Sequence, residues 1–94
     1  MMTQNAESPL GAMSEQSIGR IQGWIIDRVA LELRVDRGAI KVDEPIMAMG
    51  IDSVMLVTIV TELEDWAGIR FDGNPLEQAS TIEELARLVT EVKQ

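Results

Sequence analysis

A serine that other proteins can reach is the chemically most informative residue of this sequence. Residues 50–53 read Gly-Ile-Asp-Ser, and an apolar run over residues 54–67 follows before Gly68. Asp52 and Ser53 are both residue types that begin helices, and a glycine commonly ends one. The pattern predicts Ser53 at the exposed N-terminus of a helix, where free backbone N–H groups and the helix dipole favour a phosphate ester.

The neighbours of Ser53 suit the same role. Gly50 has no side chain, so it allows either a positive φ angle or the close approach of another protein. Asp52 places a carboxylate beside the hydroxyl group, where it can bind a metal ion or a basic residue of a modifying enzyme. We therefore predict that Ser53 accepts a covalently attached group, with Asp52 and Gly50 as supporting residues.

The composition excludes several classes of catalytic site. The 94 residues include no Cys and no His, which removes disulfides, thiolate nucleophiles, Ser-His-Asp chemistry and the commonest zinc ligand. A serine without a base in its own chain is a poor catalytic nucleophile, although it can be modified by another enzyme. We predict no metal site and no enzymatic activity, and a serine hydrolase is the least favoured function.

The charge indicates which partners the protein binds. Its net charge is −8, and residues 42–77 contain eight acidic residues against Arg70 as the one base. Such a surface repels nucleic acid and anionic membranes and attracts basic protein surfaces. No run of 18 apolar residues and no signal-peptide pattern is present, so we predict a cytoplasmic protein without a membrane partner.

Apolar residues at helical spacing predict an all-α fold that positions the serine. The predicted helices cover residues 14–33, 54–67 and 82–92, with a short helical turn at 76–79. Thr81 and Glu84 have the spacing of a capping box at the start of the last helix. Residues 1–13 are polar and predict a disordered tail, which leaves residues 14–94 as one domain.

The second predicted helix has two different faces. Leu56, Ile59, Val60, Leu63 and Ala67 form an apolar stripe that predicts the core face. The opposite face carries Val54, Val57, Thr58, Thr61, Glu62 and Asp65. These residues indicate either scattered surface valines, which are common, or a docking face with an apolar centre and an acidic rim.

With these motifs in order, residues 18–92 resemble the acyl carrier protein family, particularly the carrier domains of polyketide synthases. The matching segments are Trp24–Ala30, Asp43–Ile46, Gly50–Ser53, Leu63–Glu64, Gly68–Phe71 and Thr81–Ala86. Four residues such as 50–53 recur by chance, but their combination with the other segments in this order is specific. Val54, Thr58 and Thr61 depart from the residues that are commoner at these places in the family.

The resemblance implies a small antiparallel bundle of three main helices and one short helix. It implies that a phosphopantetheinyl transferase moves 4′-phosphopantetheine from coenzyme A onto Ser53, with help from Asp52. Acyl groups would then be held as thioesters on the thiol of that arm. It also implies a monomer whose partners are ketosynthases, acyltransferases or other synthase enzymes with basic docking surfaces. Their predicted contacts are Val54, Val57, Thr58, Thr61, Glu62 and Asp65.

Two alternatives stay open at this point. The first is a peptidyl or aminoacyl carrier, which differs in cargo. The second is a helical docking protein that is never modified, although the intact motif at residues 50–53 argues against it. The cargo, and the choice between fatty acid and polyketide pathways, do not follow from the residues.

Overall fold

Three α-helices carry the fold of this protein. The computed structural model describes residues 15–93, and side chains are described for residues 18–92. The helices are α1 (Glu15–Leu33), α2 (Ser53–Ala67) and α3 (Ile82–Lys93), with 3-10 turns at Arg37–Ala39, Ile46–Met49 and Pro75–Glu77. The predicted all-α fold is confirmed, and the turn at Pro75–Glu77 is the short fourth element. The predicted tail, residues 1–13, lies outside the described residues.

One hydrophobic core joins the three helices. Its fully buried side chains include Ile21, Ile25, Val29, Ile59, Leu63, Ile82, Leu85 and Val89, and Ile46, Ile51, Ile69 and Ala79 of the connections also belong to it. The apolar stripes predicted for the helices therefore face this core, although Val60 is only half-buried. No helix in the part of the chain described here is long and apolar enough to span a bilayer.

Side-chain pairs along one edge set the register of α1 against α2. The rings of Trp24 and Trp66 stack with centroids 5.4 Å apart and planes inclined by 18°. One turn further along α1, Nη2 of Arg28 lies 2.6 Å from Oε1 of Glu62. Residue numbers rise along α1 and fall along α2 between these two contacts, so the helices are antiparallel.

The long connection before the serine is fastened to the start of α3. The N–H of Ile46 donates to the carbonyl of Ser80 at 2.8 Å, and the N–H of Glu83 donates to the carbonyl of Val42 at 3.1 Å. Ile46 itself is buried in the core. Backbone hydrogen bonds and the buried Ile46 side chain therefore both hold the segment that leads into α2, and they fix the position of the start of α2 in the bundle.

The capping box predicted at the start of α3 is present with one difference. The N–H of Glu84 donates to Oγ1 of Thr81 at 3.1 Å, as predicted. The Glu84 carboxylate accepts from the N–H and the hydroxyl of Ser80, at 2.9 and 3.1 Å. These hydrogen bonds stabilise the charged carboxylate and lower the pKa of Glu84 below 4.5.

We expect this cap to make folding dependent on pH. Because the pKa of Glu84 is lower in the folded protein, its contribution is present above pH 4.5 and is lost as the pH falls through the folded value. Glu84→Gln should therefore lower the thermal midpoint at pH 7, and the difference from the wild type should shrink as the pH falls through the folded pKa of Glu84. Glu83→Gln is the control, and an equal pH dependence in the two variants would contradict the prediction.

Candidate functional site

Ser53 is the first residue of α2, and its side chain is exposed. Oγ of Ser53 makes no hydrogen bond within residues 15–93. Asp52 is the N-cap, since its Oδ1 accepts from the N–H of Met55 at 2.8 Å and its carbonyl accepts from the N–H of Leu56 at 3.0 Å. The hydroxyl therefore lies at the positive end of the helix dipole, free to react with a group brought from outside.

Gly50 and Ile51 turn the chain so that Ser53 faces outward. Gly50 ends the 3-10 turn at Ile46–Met49 with φ 91°, a left-handed conformation that glycine adopts without strain. A Cβ atom at this position would meet no atom within 4 Å, so the backbone conformation and not space favours glycine here. Ile51 is buried in the core, so it anchors the chain two residues before the exposed hydroxyl.

An open groove of about 340 Å³ starts at Ser53. One wall is α2 and the other is the segment that leads into the turn at Pro75–Glu77. Its lining is largely apolar and consists of Ser53, Leu56, Val57, Val60, Thr61, Gly73, Asn74 and Pro75. Asn74 is fixed by a hydrogen bond from the N–H of Leu76 to its Oδ1 at 2.9 Å. A group joined to Ser53 can lie along this groove and stay accessible to solvent.

The predicted docking residues lie mainly on one exposed face of α2. Val54 and Val57 are 74% and 63% exposed, and Thr58, Thr61 and Asp65 are exposed as well. Oγ1 of Thr58 donates to the carbonyl of Val54 at 3.1 Å, so this hydroxyl is already bound to the backbone of α2. The face thus has apolar side chains beside Ser53 and a carboxylate at its far end.

Glu62 differs from the other predicted docking residues. It is half-buried at the border with α1, where its carboxylate pairs with Arg28. Arg28 also contacts Glu32 at 3.2 Å, and its Nε is buried without a hydrogen-bond partner among the described residues. Sequence reasoning missed this pairing, because it depends on how α1 packs against α2 and no local pattern marks it.

Few side chains of the kinds that commonly act in catalysis lie close to Ser53 in the sequence. The sequence contains no His or Cys. No group of three or more acidic side chains in the described part of the chain is arranged to hold a metal ion. The only side chain within two residues of Ser53 that carries a charge is Asp52, and one of its oxygens already caps the helix. The Ser53 hydroxyl is therefore exposed beside a single charged neighbour.

Comparisons with known proteins agree with this geometry. The sequence model of the family described as "phosphopantetheine attachment site" matches residues 23–89. The acyl carrier protein TtuC of Teredinibacter turnerae (strain ATCC 39867 / T7901) is 26% identical over 69 residues, which cover 73% of this chain and 79% of that protein. Residues 23–89 include the motif at 50–53, the groove and the start of α3. The predicted resemblance to the acyl carrier protein family is confirmed.

Proposed function

Because this chain belongs to the family of acyl carrier proteins with a phosphopantetheine attachment site, we propose that Ser53 is the residue that bears the 4′-phosphopantetheine arm. The observation that carries this proposal is the exposed hydroxyl at the N-terminus of α2, which lies beside the groove and makes no hydrogen bond to a described residue. When bound, the arm supplies a thiol that holds cargo as a thioester. The protein itself is a carrier, and tethering raises the effective concentration of the cargo at its partners.

The residues around Ser53 suit the attachment step. A phosphopantetheinyl transferase would bring coenzyme A to this end of the protein. Oγ of Ser53 would form the new bond to phosphorus and give its proton to the transferase, while the adenosine bisphosphate part of coenzyme A leaves. The backbone N–H groups at the start of α2 favour the resulting phosphodiester, and Val57 and Leu56 offer apolar contacts along the groove.

Direct measurement of the attachment tests the proposal. The purified protein is incubated with coenzyme A and a transferase of broad specificity, and its intact mass is recorded. We expect one phosphopantetheine per chain, located at Ser53 by fragmentation of the modified peptide. An unchanged mass would favour the helical docking protein that is never modified, and a modification elsewhere would overturn the assignment of Ser53.

We propose further that the cargo is an acyl or polyketide intermediate and that the partners are synthase enzymes with basic docking surfaces. The sequence resemblance and the exposed acidic residues Asp43, Glu44 and Asp65 support this assignment. The test compares acylation of the loaded protein by an acyltransferase with malonyl-coenzyme A against aminoacylation by an adenylating enzyme. Preferential aminoacylation would favour the peptidyl or aminoacyl carrier.

Asp52 has a proposed role in loading that is separable from its role as a helix cap. Asn is as good an N-cap as Asp, so Asp52→Asn should change the free energy of unfolding by only about 0.5 kcal/mol or less. It removes the charge beside Ser53, and we expect the loading rate to fall about tenfold, the effect of losing one charge-assisted hydrogen bond.

Glu91→Gln is the control for this measurement, because Glu91 is an exposed acid near the end of α3 and lies outside the proposed docking surface. We expect it to load at nearly the wild-type rate. If Asp52→Asn also loads at that rate while its stability is unchanged, Asp52 acts only as a cap.

A further inference from the structure

Three residues of α1 lie on one side of the helix at the spacing of helical neighbours: Trp24, Arg28 and Leu31. The first two contact α2, through the ring stack with Trp66 and the ion pair with Glu62. Leu31 is 64% exposed. The side of α1 that packs against α2 therefore continues beyond that contact into solvent as an apolar surface.

The end of α1 turns back and adds a second exposed apolar residue. Arg34 has φ 60°, and the N–H groups of Arg34 and Val35 donate to the carbonyls of Leu31 and Ala30, at 3.3 and 3.0 Å. This is the Schellman motif, in which the residue after the left-handed one packs back on the last turn of the helix. Val35 is 45% exposed, so a second apolar side chain faces solvent at this end of α1.

The antiparallel register places Leu31 at the same end of the bundle as Ser53. The ion pair puts Arg28 beside Glu62. From there, Leu31 lies about 4.5 Å further along α1, and Thr58 lies about 6 Å along α2 towards Ser53, at 1.5 Å per residue. Leu31 is thus level with Thr58, one helical turn from Val54 on the docking face of α2.

Exposed apolar side chains are concentrated at this end. The described residues have six large ones: Leu31, Val35, Met47, Val54, Val57 and Val92. Met47 lies three residues before Gly50, and Val54 and Val57 follow Ser53 on α2. Val92 is the exception. The start of α3 is hydrogen-bonded to the connection that leads to Ser53, and Val92 lies ten residues, about 15 Å, further along α3. Such clustering marks a contact surface.

We propose that Leu31 and Val35 belong to the surface that docks the phosphopantetheinyl transferase, so that this surface extends from α2 onto the C-terminal end of α1. The inference rests on the proposed attachment at Ser53. A transferase must bring its active site within bonding distance of Oγ and so must cover this end of the bundle. Enzymes that act on the thiol need not approach Oγ so closely, because the arm separates the thiol from Ser53.

The chemistry of the partner surface follows from the residues that it would cover. A transferase that covers Leu31, Val35 and Val54 needs apolar side chains at the centre of its contact surface. The exposed acids Asp43 and Glu44 call for a basic margin on the side of the connection. Arg34 is also exposed next to Leu31, so the contribution of α1 comes from burial of apolar surface and not from negative charge.

The test is the steady-state loading of full-length Leu31→Gln with coenzyme A and the transferase. Gln keeps the helix propensity and adds no charge, and Leu31 is exposed, so the fold is retained. We expect the KM for the carrier to rise roughly fivefold to tenfold and kcat to stay unchanged, because the variant no longer buries part of a leucine side chain against the transferase. Val92→Gln is the matched control at the opposite end and should keep the wild-type KM.

The outcomes separate this inference from the proposed function. Absence of loading in the wild-type protein would overturn the attachment at Ser53. Normal loading of the wild type with the same KM for Leu31→Gln would leave that attachment intact and overturn the docking role of α1. An equal rise of KM for Leu31→Gln and Val92→Gln would also overturn it, because the effect would not depend on the end of the bundle.

Discussion

Ser53→Ala should abolish the attachment of phosphopantetheine. The substitution removes the oxygen that forms the bond to phosphorus, and no neighbouring side chain can replace it, because residues 50–52 and 54–57 contain no hydroxyl group. Asp52 remains the N-cap, so α2 should still begin at residue 53. The measurement is intact mass after incubation with coenzyme A and the transferase, and we expect no detectable modified protein.

Ser80→Ala is the control for this prediction. Ser80 is also exposed and also lies at the start of a helix, but its hydroxyl is bound to the Glu84 carboxylate. It should be loaded as completely as the wild-type protein. Loading of Ser53→Ala, or failure of Ser80→Ala while its fold is intact, would show that the arm is attached elsewhere.

Leu63→Ala should cause the largest loss of stability of the substitutions considered. Leu63 is fully buried on α2, in the core that also contains Ile25 and Leu85. Truncation of a buried leucine removes its transfer free energy and leaves a cavity, at a cost of about 2–5 kcal/mol. Domains of this size have free energies of unfolding of about 5–15 kcal/mol, so the variant should unfold at a clearly lower urea concentration.

Val57→Ala separates the two faces of the same helix. Val57 is exposed near Ser53, and substitutions at such positions change the free energy of unfolding by about 0.5 kcal/mol or less. We expect the Val57→Ala variant to unfold at the same urea concentration as the wild type, while its KM for loading rises. Equal loss of stability in Leu63→Ala and Val57→Ala would contradict the assignment of the two faces.

The geometry around Ser53, the proposed attachment residue, is predictable from sequence because it is local. It consists of Gly50 with its positive φ, the N-cap Asp52 and the first helical residue Ser53, and these lie within four positions of one another. The capping box of Thr81 and Glu84 is local in the same way. It differs from the prediction only because the Glu84 carboxylate accepts from the N–H of Ser80.

The docking surface depends on contacts between distant segments. Glu62 was predicted as an exposed docking residue, and its pairing with Arg28 follows from the packing of α1 on α2. Its role in partner binding stays a prediction. The exposure of Leu31 has the same origin, because only the register of the two helices determines where α2 stops covering α1.

The sequence by itself therefore determined the helices, the family and the residue that offers its hydroxyl. Helical periodicity, caps and short motifs are read over a few residues, and the apolar stripes fix which faces are buried. The tertiary structure decided the groove between α2 and Pro75, the fastening of Ile46 to Ser80 and the concentration of exposed apolar side chains around Ser53. These features join residues far apart in the chain, and their positions depend on how the helices pack.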